Sequence, residues 1–385
     1  MRHFDHLTDE DRKRLFHLEP QDFTLDDERD VLAVALGATL YTPADHPELA
    51  ARVLRCVRAG VRSMVLDLED AVIDDHLAAA LCNSVAALDQ LAAAGGVNAM
   101  IFVRVRTIGC IAEIARLLGA GRTVLAGFVV PKFTADNGAS FLTATQAASE
   151  LLGRRLYCMP VLESMQLVHR QTRGDELARL GRLFDRHRDQ ILALRVGATD
   201  MSAIFGIRRD RDLTIYDVRV VADVIADVVN YLGRMDGSGF LLTAPVWEYF
   251  ADRERMFRPA LRSTPFVEHD AVRFRDQLVS RDIDGLLREI SLDNANGLHG
   301  KTVIHPSHVA PVHALAVVTH EEYQDATDII AADCGGVRSS GYGNKMNEAR
   351  PHRHWARRIL QRAGAFGVTN EGVTFVDVLT AVAPR

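Results

Sequence analysis

The chain has 385 residues, a formal net charge of −6, and a composition that is 48% hydrophobic and 25% charged. This length exceeds one average domain, but a large α/β barrel accommodates most of it, and the composition is typical of a globular protein with a substantial core. The slight acidity argues against broad nucleic-acid binding, which usually depends on a basic domain. No segment approaches the roughly 18 consecutive apolar residues of a membrane span, and the charged N-terminus lacks the apolar stretch of a signal peptide.

The cysteines and the charges add two expectations. The five cysteines are scattered and form no CxxC pair, which favours a reducing compartment, so we expect a cytoplasmic protein. Residues 1–30 hold ten acidic and five basic side chains, whereas residues 335–358 hold six basic side chains and one acidic one. The two ends of the chain therefore differ in charge, and the basic end is a candidate for contact with an anion.

Helix-like segments alternate with short β-rich runs along most of the chain. Residues 1–38 are predicted to form an N-terminal extension with a helix over 9–17. Eight runs follow, several of them almost continuously apolar, as strands covered on both faces are. These runs are 39–44, 63–70, 99–106, 127–132, 156–164, 191–200, 241–250 and 301–306. Predicted helices between them include 47–59, 78–94, 111–118 and 139–152.

Eight strand–helix units predict an α/β protein with a (β/α)₈ TIM barrel, here over residues 39–312. A doubly wound open sheet is the alternative, but no GxGxxG follows the first run. Residues 313–385 contain two helix-like segments, 321–332 and 350–363, on either side of a glycine-rich stretch. We predict that they form a C-terminal helical lid or an oligomerisation arm, with a disordered linker as the alternative.

Polar residues follow most of the predicted strands. The chemistry of a TIM barrel lies at the C-terminal ends of its strands, so these side chains are expected to meet at one rim. Carboxylates close together repel one another unless a cation offsets them, and oxygen ligands suit Mg²⁺, which usually takes one or two protein carboxylates. Such a metal acts as a Lewis acid on a 2-oxo acid, while an arginine holds the acid's carboxylate. This arrangement predicts chemistry at a carbon–carbon bond next to a carbonyl. The alternative is a set of salt bridges that closes the barrel mouth.

Six segments resemble the HpcH/HpaI aldolase and citrate lyase beta-subunit superfamily. They occur in the superfamily's order, over 40–72, 101–107, 129–133, 159–165, 194–206 and 296–309. The most specific blocks within them are "DLEDAV" at 67–72 and "GKTVIHPSHV" at 300–309. The variant that the sequence resembles most is a bacterial branch described as a carbon–carbon bond lyase of the TIM-barrel fold, whose members are encoded beside tellurium-resistance genes.

The resemblance implies a lyase that depends on Mg²⁺, or alternatively on Mn²⁺. Glu163 and Asp200 match the metal ligands of the superfamily. Arg104 matches the arginine that binds the carboxylate of the oxo acid. Glu69 and Asp70 match acidic residues near the metal, where they would act through water or through hydrogen bonds to the ligands.

The resemblance extends past the barrel. Relatives carry a K-M-hydrophobic-D motif there, and its aspartate can reach the site of a neighbouring subunit. The matching stretch, 345–348, places Glu348 at that position as a candidate general acid or base, with a surface glutamate paired with arginines as the alternative. The nearby basic residues are candidates for binding phosphate, with a solvated hinge as the alternative; they are Arg338, Lys345, Arg350 and Arg353. A homotrimer or homohexamer is expected.

One departure from the superfamily bears on the substrate. Relatives begin the first strand with an Arg-Ser pair, but residues 36–39 here read Leu-Gly-Ala-Thr. That arginine helps to hold the substrate of acyl-CoA lyases, so its absence puts the use of CoA in doubt. We therefore expect a lyase or aldolase that acts on a small 2-oxo or 2-hydroxy acid, with or without a phosphate, through a metal-stabilised enolate.

Two alternatives remain open at this stage. The first is an acyl-CoA lyase or thioesterase of the malyl-CoA or citramalyl-CoA type. The second is a barrel without catalytic activity that serves as a binding or assembly partner. In the enzymatic cases the expected partner is a small anionic metabolite, with neither nucleic acid nor membrane involved.

Overall fold

The strands show how the molecule is organised. The computed structural model describes residues 1–250, 281–332 and 336–382, so part of the predicted barrel domain and of the glycine-rich stretch lies outside the described residues. The strands within these ranges are β1 (Phe16–Leu18), β2 (Ala38–Pro43), β3 (Ser63–Asp67), β4 (Met100–Arg104), β5 (Leu125–Val130), β6 (Tyr157–Leu162), β7 (Leu194–Val196), β8 (Leu242–Thr243), β9 (Lys301–Val303), β10 (Val337–Ser339), β11 (Met346–Glu348) and β12 (Val368–Thr369).

Helices follow most of the barrel strands, and further helices occupy both ends of the described chain. They are α1 (Asp9–Leu15), α2 (Arg29–Ala35), α3 (Leu49–Arg58), α4 (Leu77–Ala93), α5 (Ile108–Leu117), α6 (Gly138–Leu152), α7 (Met165–Val168), α8 (Arg170–Arg186), α9 (Ala198–Ala203), α10 (Arg219–Leu232), α11 (Arg281–Ala295), α12 (Val309–Ala314), α13 (His320–Ala331), α14 (Arg353–Phe366) and α15 (Phe375–Val382). Single 3₁₀ turns lie at Asp74–His76, Ala120–Thr123, Arg188–Gln190, Ile215–Asp217 and Pro306–His308. No helix of these described ranges is both long enough and apolar enough to cross a lipid bilayer.

Eight parallel strands form the barrel. Their order is β8-β7-β6-β5-β4-β3-β2-β9, and an isolated parallel bridge between Ala244 and Lys301 joins the two ends of this order. The (β/α)₈ prediction is therefore confirmed, and each of the eight predicted runs overlaps one strand. Six of the strands are shorter than their runs, while β2 and β5 have the predicted length but begin one and two residues earlier. The polar residues at the C-terminal ends of the runs lie outside the ladder. Those residues are then available at the rim.

Side chains on the two faces of the barrel strands pack in two different hydrophobic cores. Val65, Phe102 and Met159 project into the barrel interior, whereas Leu66 and Val103 pack beneath the surrounding helices. Every residue of β3, β5 and β6 is buried, as expected for parallel strands that are covered on both faces. This explains why the sequence shows continuous apolar runs instead of a simple alternation.

The two ends of the chain close the N-terminal end of the barrel. Phe4, Phe16 and Phe366 pack in one cluster with interior residues of the barrel strands. Arg62, which immediately precedes β3, donates from Nε to the backbone oxygen of Arg2 over 2.8 Å and forms an ion pair with Asp5. β1 pairs with β12 in antiparallel orientation. The opposite end of the barrel is therefore the one that carries the polar rim.

A buried ionic cluster fixes the last barrel strand to α11. The Lys301 ammonium lies 2.9 Å from Glu289 Oε1 and 2.7 Å from Asp293 Oδ2, and all three side chains are almost fully buried. Glu289 also pairs with Arg209, and the Tyr216 hydroxyl donates to Asp293 over 2.8 Å. Burial raises the pKa of Asp293 to about 6, against the neighbouring Lys301 ammonium, which lowers it. Removal of one partner would leave a buried charge without compensation.

We therefore expect Lys301→Met to lower the free energy of unfolding by about 3 kcal/mol, because Glu289 and Asp293 lose a shared cation in the core. Urea unfolding at pH 7.5 measures this change. Arg219→Met is the control: Arg219 pairs with Asp223 on the exposed surface of α10, and its loss should have a much smaller effect. Equal losses in the two variants would contradict a structural role for the buried cluster.

Candidate functional site

Seven charged side chains meet at the C-terminal rim of the barrel. They lie at or just after the ends of five neighbouring strands: Asp67, Glu69, Asp70, Arg104, Lys132, Glu163 and Asp200. Five of the six residues that the sequence singled out are thus found at one rim. Asp67 and Lys132 also lie there, although the sequence assigns neither of them a role.

Arg104 is the centre of one half of the rim. Its Nε and Nη2 donate to the two carboxylate oxygens of Asp67 over 2.6 and 2.5 Å, in a bidentate pair. Its Nη1 lies 2.8 Å from Glu69 Oε2 and 3.2 Å from Asp70 Oδ2. Burial lowers the pKa of Arg104, but the hydrogen bonds and charge of Asp67 outweigh it and raise the pKa above its ordinary value.

Lys132 occupies the middle of the rim. Its ammonium contacts Glu69 and lies 3.8 Å from Asp70 Oδ1 and 3.9 Å from Asp200 Oδ1. Its backbone N–H donates to Glu163 Oε1 over 2.8 Å. The backbone has φ +48°, a left-handed conformation that side chains other than glycine rarely adopt. This strained conformation turns the N–H toward Glu163 and the ammonium toward the other three carboxylates.

Glu163 is the most deeply placed of the carboxylates assigned to the metal. Only 5% of its surface is exposed, and burial raises its pKa to about 7, with the charge of Asp200 as the next cause. Gly197, just after β7, leaves the space that this carboxylate fills. A Cβ added at Gly197 would lie 1.9 Å from Glu163 Oε2, so even alanine would collide with it.

The other two acidic residues differ in the direction of their pKa shifts. Burial raises the pKa of Glu69, against Lys132 and Arg104, which lower it. For Asp70 burial acts in the same direction but is outweighed by the hydrogen bond with Glu69 and by Arg104, so its pKa is lowered. Glu69 Oε2 lies near Arg104 yet receives no well-directed hydrogen bond. One buried oxygen acceptor at the rim is therefore left unsatisfied.

The oxygen donors of this rim fit a divalent cation. In the parts of the chain that the structure describes, no three His, Cys, Asp or Glu side chains are arranged as a complete metal site. Mg²⁺ does not require one, because it usually takes one or two carboxylates and completes its octahedron with substrate and water. A buried Glu163 beside Asp200, with a raised pKa, has the electrostatic environment that a divalent cation would relieve.

Glu348 is not among the residues that meet at this rim. It lies exposed on β11, which pairs with β10, and its backbone N–H donates to His352 Nδ1 over 3.1 Å. Lys345 beside it lies 2.7 Å from both Glu321 and Asp325, so the nearby lysine is already neutralised by two carboxylates. A contribution of Glu348 to catalysis would have to be made in a neighbouring subunit.

Residues 36 and 37, which begin the stretch matching the relatives' Arg-Ser pair, are buried at the closed end of the barrel. Leu36 is 1% exposed. Gly37 has φ +51°, and a Cβ added there would lie only 2.9 Å from His313 Nε2. The same nitrogen accepts the Ala38 N–H over 3.2 Å. The site therefore has no arginine from this strand.

A large open cleft of about 1170 Å³ lies away from the rim. Its lining includes Thr24, Asn98, Arg122 and Arg154, from the N-terminal extension and from segments before β4, β5 and β6. These segments enter the strands at the N-terminal end of the barrel. TIM-barrel active sites lie at the C-terminal end, and the charged cluster is there, so we assign the candidate site to the rim.

A family model described as "C-C_Bond_Lyase of the TIM-Barrel fold" matches residues 30–368. The chain belongs to this family. It is a carbon–carbon bond lyase by family, and the predicted branch of this description is confirmed. A search of curated proteins gave no match.

Solved structures support the fold of this lyase. CitE of Mycobacterium tuberculosis, in complex with magnesium, acetoacetate and coenzyme A, is 20% identical with a TM-score of 0.53 over 86% of this chain and 99% of that one. A citrate lyase of Burkholderia xenovorans is 15% identical, with a TM-score of 0.58 over 90% and 96%. A magnesium/glyoxylate complex of Haloferax volcanii malate synthase is 13% identical, with a TM-score of 0.51 over 71% and 73%.

The raised pKa of Glu163 predicts how the free energy of unfolding depends on pH in the absence of metal. Its value is about 7 in the folded lyase and 4.5 for an ordinary glutamate, so between these pH values the folded state binds more protons than the unfolded state. The free energy of unfolding should therefore fall as the pH rises through this range. We expect Glu163→Gln to lose this part of the pH dependence and to be more stable than wild type at pH 8 by up to about 3 kcal/mol.

Urea unfolding without divalent metal at pH 4.5 and pH 8 measures the difference between the two proteins. Asp293, whose pKa is also raised, contributes equally to both and cancels in the comparison. Parallel pH profiles for wild type and Glu163→Gln would contradict the raised pKa.

Proposed function

We propose that this lyase is a Mg²⁺-dependent enzyme that cleaves or forms a carbon–carbon bond in a small 2-oxo or 2-hydroxy acid. The observation that carries the proposal is the pair of Glu163 and Asp200. Glu163 is buried, with its pKa raised to about 7, and Asp200 is partly exposed. Both lie at the rim, among its other charged side chains. A divalent cation on these two carboxylates would offset their repulsion.

The roles of the protein side chains follow from their contacts. Glu163 and Asp200 would hold the metal, which when bound supplies Lewis-acid polarisation of the substrate carbonyl. Arg104, fixed by the bidentate pair with Asp67, would present Nη1 to the substrate carboxylate. The Lys132 ammonium, which contacts Glu69, is flexible and half-exposed and would move aside as the metal enters. Glu69 would then accept hydrogen bonds from water around the metal.

We expect Glu163→Gln to reduce metal-dependent turnover by at least 100-fold and to weaken Mg²⁺ binding, because the amide keeps the shape but loses the charge. Isothermal titration with Mg²⁺ and product analysis of candidate 2-oxo and 2-hydroxy acids measure the two effects. Glu176→Gln is the matched control. Glu176 is also a buried glutamate that accepts a backbone N–H, from Ala135 over 2.7 Å, but its ionic partner is Arg179 and not one of the rim charges.

Gly197→Ala provides an independent route to the same result. This substitution changes neither carboxylate residue, but the added Cβ collides with Glu163 and displaces it. Mg²⁺ binding should therefore weaken as it does in Glu163→Gln. Gly174→Ala in α8, where a Cβ meets its nearest neighbour at 3.7 Å, should leave it unchanged. Unaltered Mg²⁺ affinity in Glu163→Gln and Gly197→Ala would rule out this metal site.

A thioester substrate is the second candidate. It is favoured by the likeness to CitE of Mycobacterium tuberculosis, whose complex contains acetoacetate and coenzyme A together with magnesium. It is disfavoured by the buried, uncharged position of Leu36 and Gly37, where relatives that bind acyl-CoA carry an arginine.

Incubation with acyl-CoA and with free hydroxy acids distinguishes the two candidates. We expect free acids to be cleaved to an oxo acid or an aldehyde, with no release of free CoA thiol from acyl-CoA, because no arginine of the first barrel strand holds the CoA. Free thiol that appears at a rate sensitive to Glu163→Gln would reverse the preference. Static light scattering tests the proposed homotrimer or homohexamer, in which Glu348 would reach a neighbouring rim.

A further inference from the structure

An arginine without an acidic partner lies inside the barrel beneath the rim. Arg195 on β7 is 1% exposed and donates to the Thr302 hydroxyl over 2.6 Å, with the Thr39 hydroxyl at 3.4 Å and the Met159 sulfur at 3.9 Å. Its Nε is buried and has no hydrogen-bond partner. Within the described residues no carboxylate forms an ion pair with it. A buried cation without a counter-charge costs free energy, and contact with a neighbouring aromatic group lowers that cost.

That neighbouring group is Tyr41. Its ring lies between two guanidinium groups, with the Arg195 carbon 5.5 Å and the Arg104 carbon 5.3 Å from the ring centroid. Burial lowers the pKa of Arg195, and the charge of Arg104 acts in the same direction, against Tyr41, which raises it. Tyr41 pairs with Val65 on β3, two residues before Asp67, so it lies directly below the anchor of Arg104. Tyr41 is half-buried, whereas Arg195 is fully enclosed.

We propose that Tyr41 contacts the substrate, as the donor of a hydrogen bond to an anionic oxygen of the bound acid, and that Arg195 is the positioning residue whose guanidinium packs against its ring. Burial raises the pKa of Tyr41, so the phenol keeps its proton for donation. The two guanidinium groups beside the ring fix its position. The assignment rests on the proposed function, because it takes the anion to be the small acid held by Arg104.

The charge balance of the rim supports the same role. Among the residues that the structure describes, five carboxylates share the two cations Arg104 and Lys132, so an anionic substrate would be repelled even with a divalent cation present. The buried charge of Arg195 lies below the rim, and no carboxylate of the described ranges pairs with it. Tyr41 lies between this charge and the rim, and it would bring a neutral donor to the substrate without adding a cation that the carboxylates could capture.

Binding of oxalate, a stable dianion that resembles the enolate of a 2-oxo acid, tests the assignment in the presence of saturating Mg²⁺. We expect Tyr41→Phe to bind oxalate at least about tenfold more weakly, as the loss of a hydrogen bond to a charged group implies, with unchanged Mg²⁺ affinity. Tyr157→Phe is the matched control: Tyr157 begins β6 in the same barrel interior, and its hydroxyl accepts from Arg155 over 3.2 Å, near the closed end. Its oxalate affinity should equal that of wild type.

A double-mutant comparison tests the positioning role of Arg195. Arg195→Met should weaken oxalate binding about as much as Tyr41→Phe, and the double variant should be no weaker than either single one, because both act through one hydroxyl. Arg195→Lys, which keeps the buried charge, replaces the methionine variant if thermal unfolding shows that the latter does not fold. Additive losses would overturn the positioning role.

The outcomes separate this inference from the proposed function. Failure of wild type to bind oxalate with Mg²⁺, or unchanged binding in Glu163→Gln, would overturn both. Oxalate binding that depends on Glu163 but is the same in Tyr41→Phe and wild type would overturn the assignment of Tyr41 alone.

Discussion

An excess of negative charge at the C-terminal rim determines how the site is built. Five carboxylates share it with one arginine and one lysine, and each of the two cations contacts several acids at once. Arg104 is committed to Asp67 through both carboxylate oxygens, so it acts as a fixed anchor. Lys132 contacts its partners through a single ammonium, which is easily displaced. The remaining repulsion falls on Glu163, and a divalent cation would relieve it.

The backbone is shaped to keep this charge cluster in place. Lys132 adopts a left-handed conformation that turns its N–H toward Glu163, and Gly197 has no side chain where Glu163 needs space. Strain of this kind persists where the surrounding structure compensates for it. Here β5 and β6 are buried along their whole length, and the Lys301 cluster holds the far side of the barrel against α11.

The closed N-terminal end of the barrel explains why the molecule has one polar mouth. Aromatic residues from both ends of the chain pack onto the interior residues there, and β1 joins β12. The same packing buries Leu36 and leaves no room for a Cβ at Gly37, and it also encloses the Arg62 guanidinium, which pairs with Asp5.

The sequence by itself determined the barrel and the identity of most rim residues, because continuous apolar runs mark strands covered on both faces and polar residues mark their ends. Family motifs added the candidate roles of Glu163, Asp200 and Arg104. The tertiary structure alone decided which charges pair. Asp67 holds Arg104, Lys132 lies among three carboxylates, and Tyr41 lies between two guanidinium groups, since each contact joins strands that are distant in sequence. Strand spacing and side-chain direction set these distances, and neither can be read from a linear pattern.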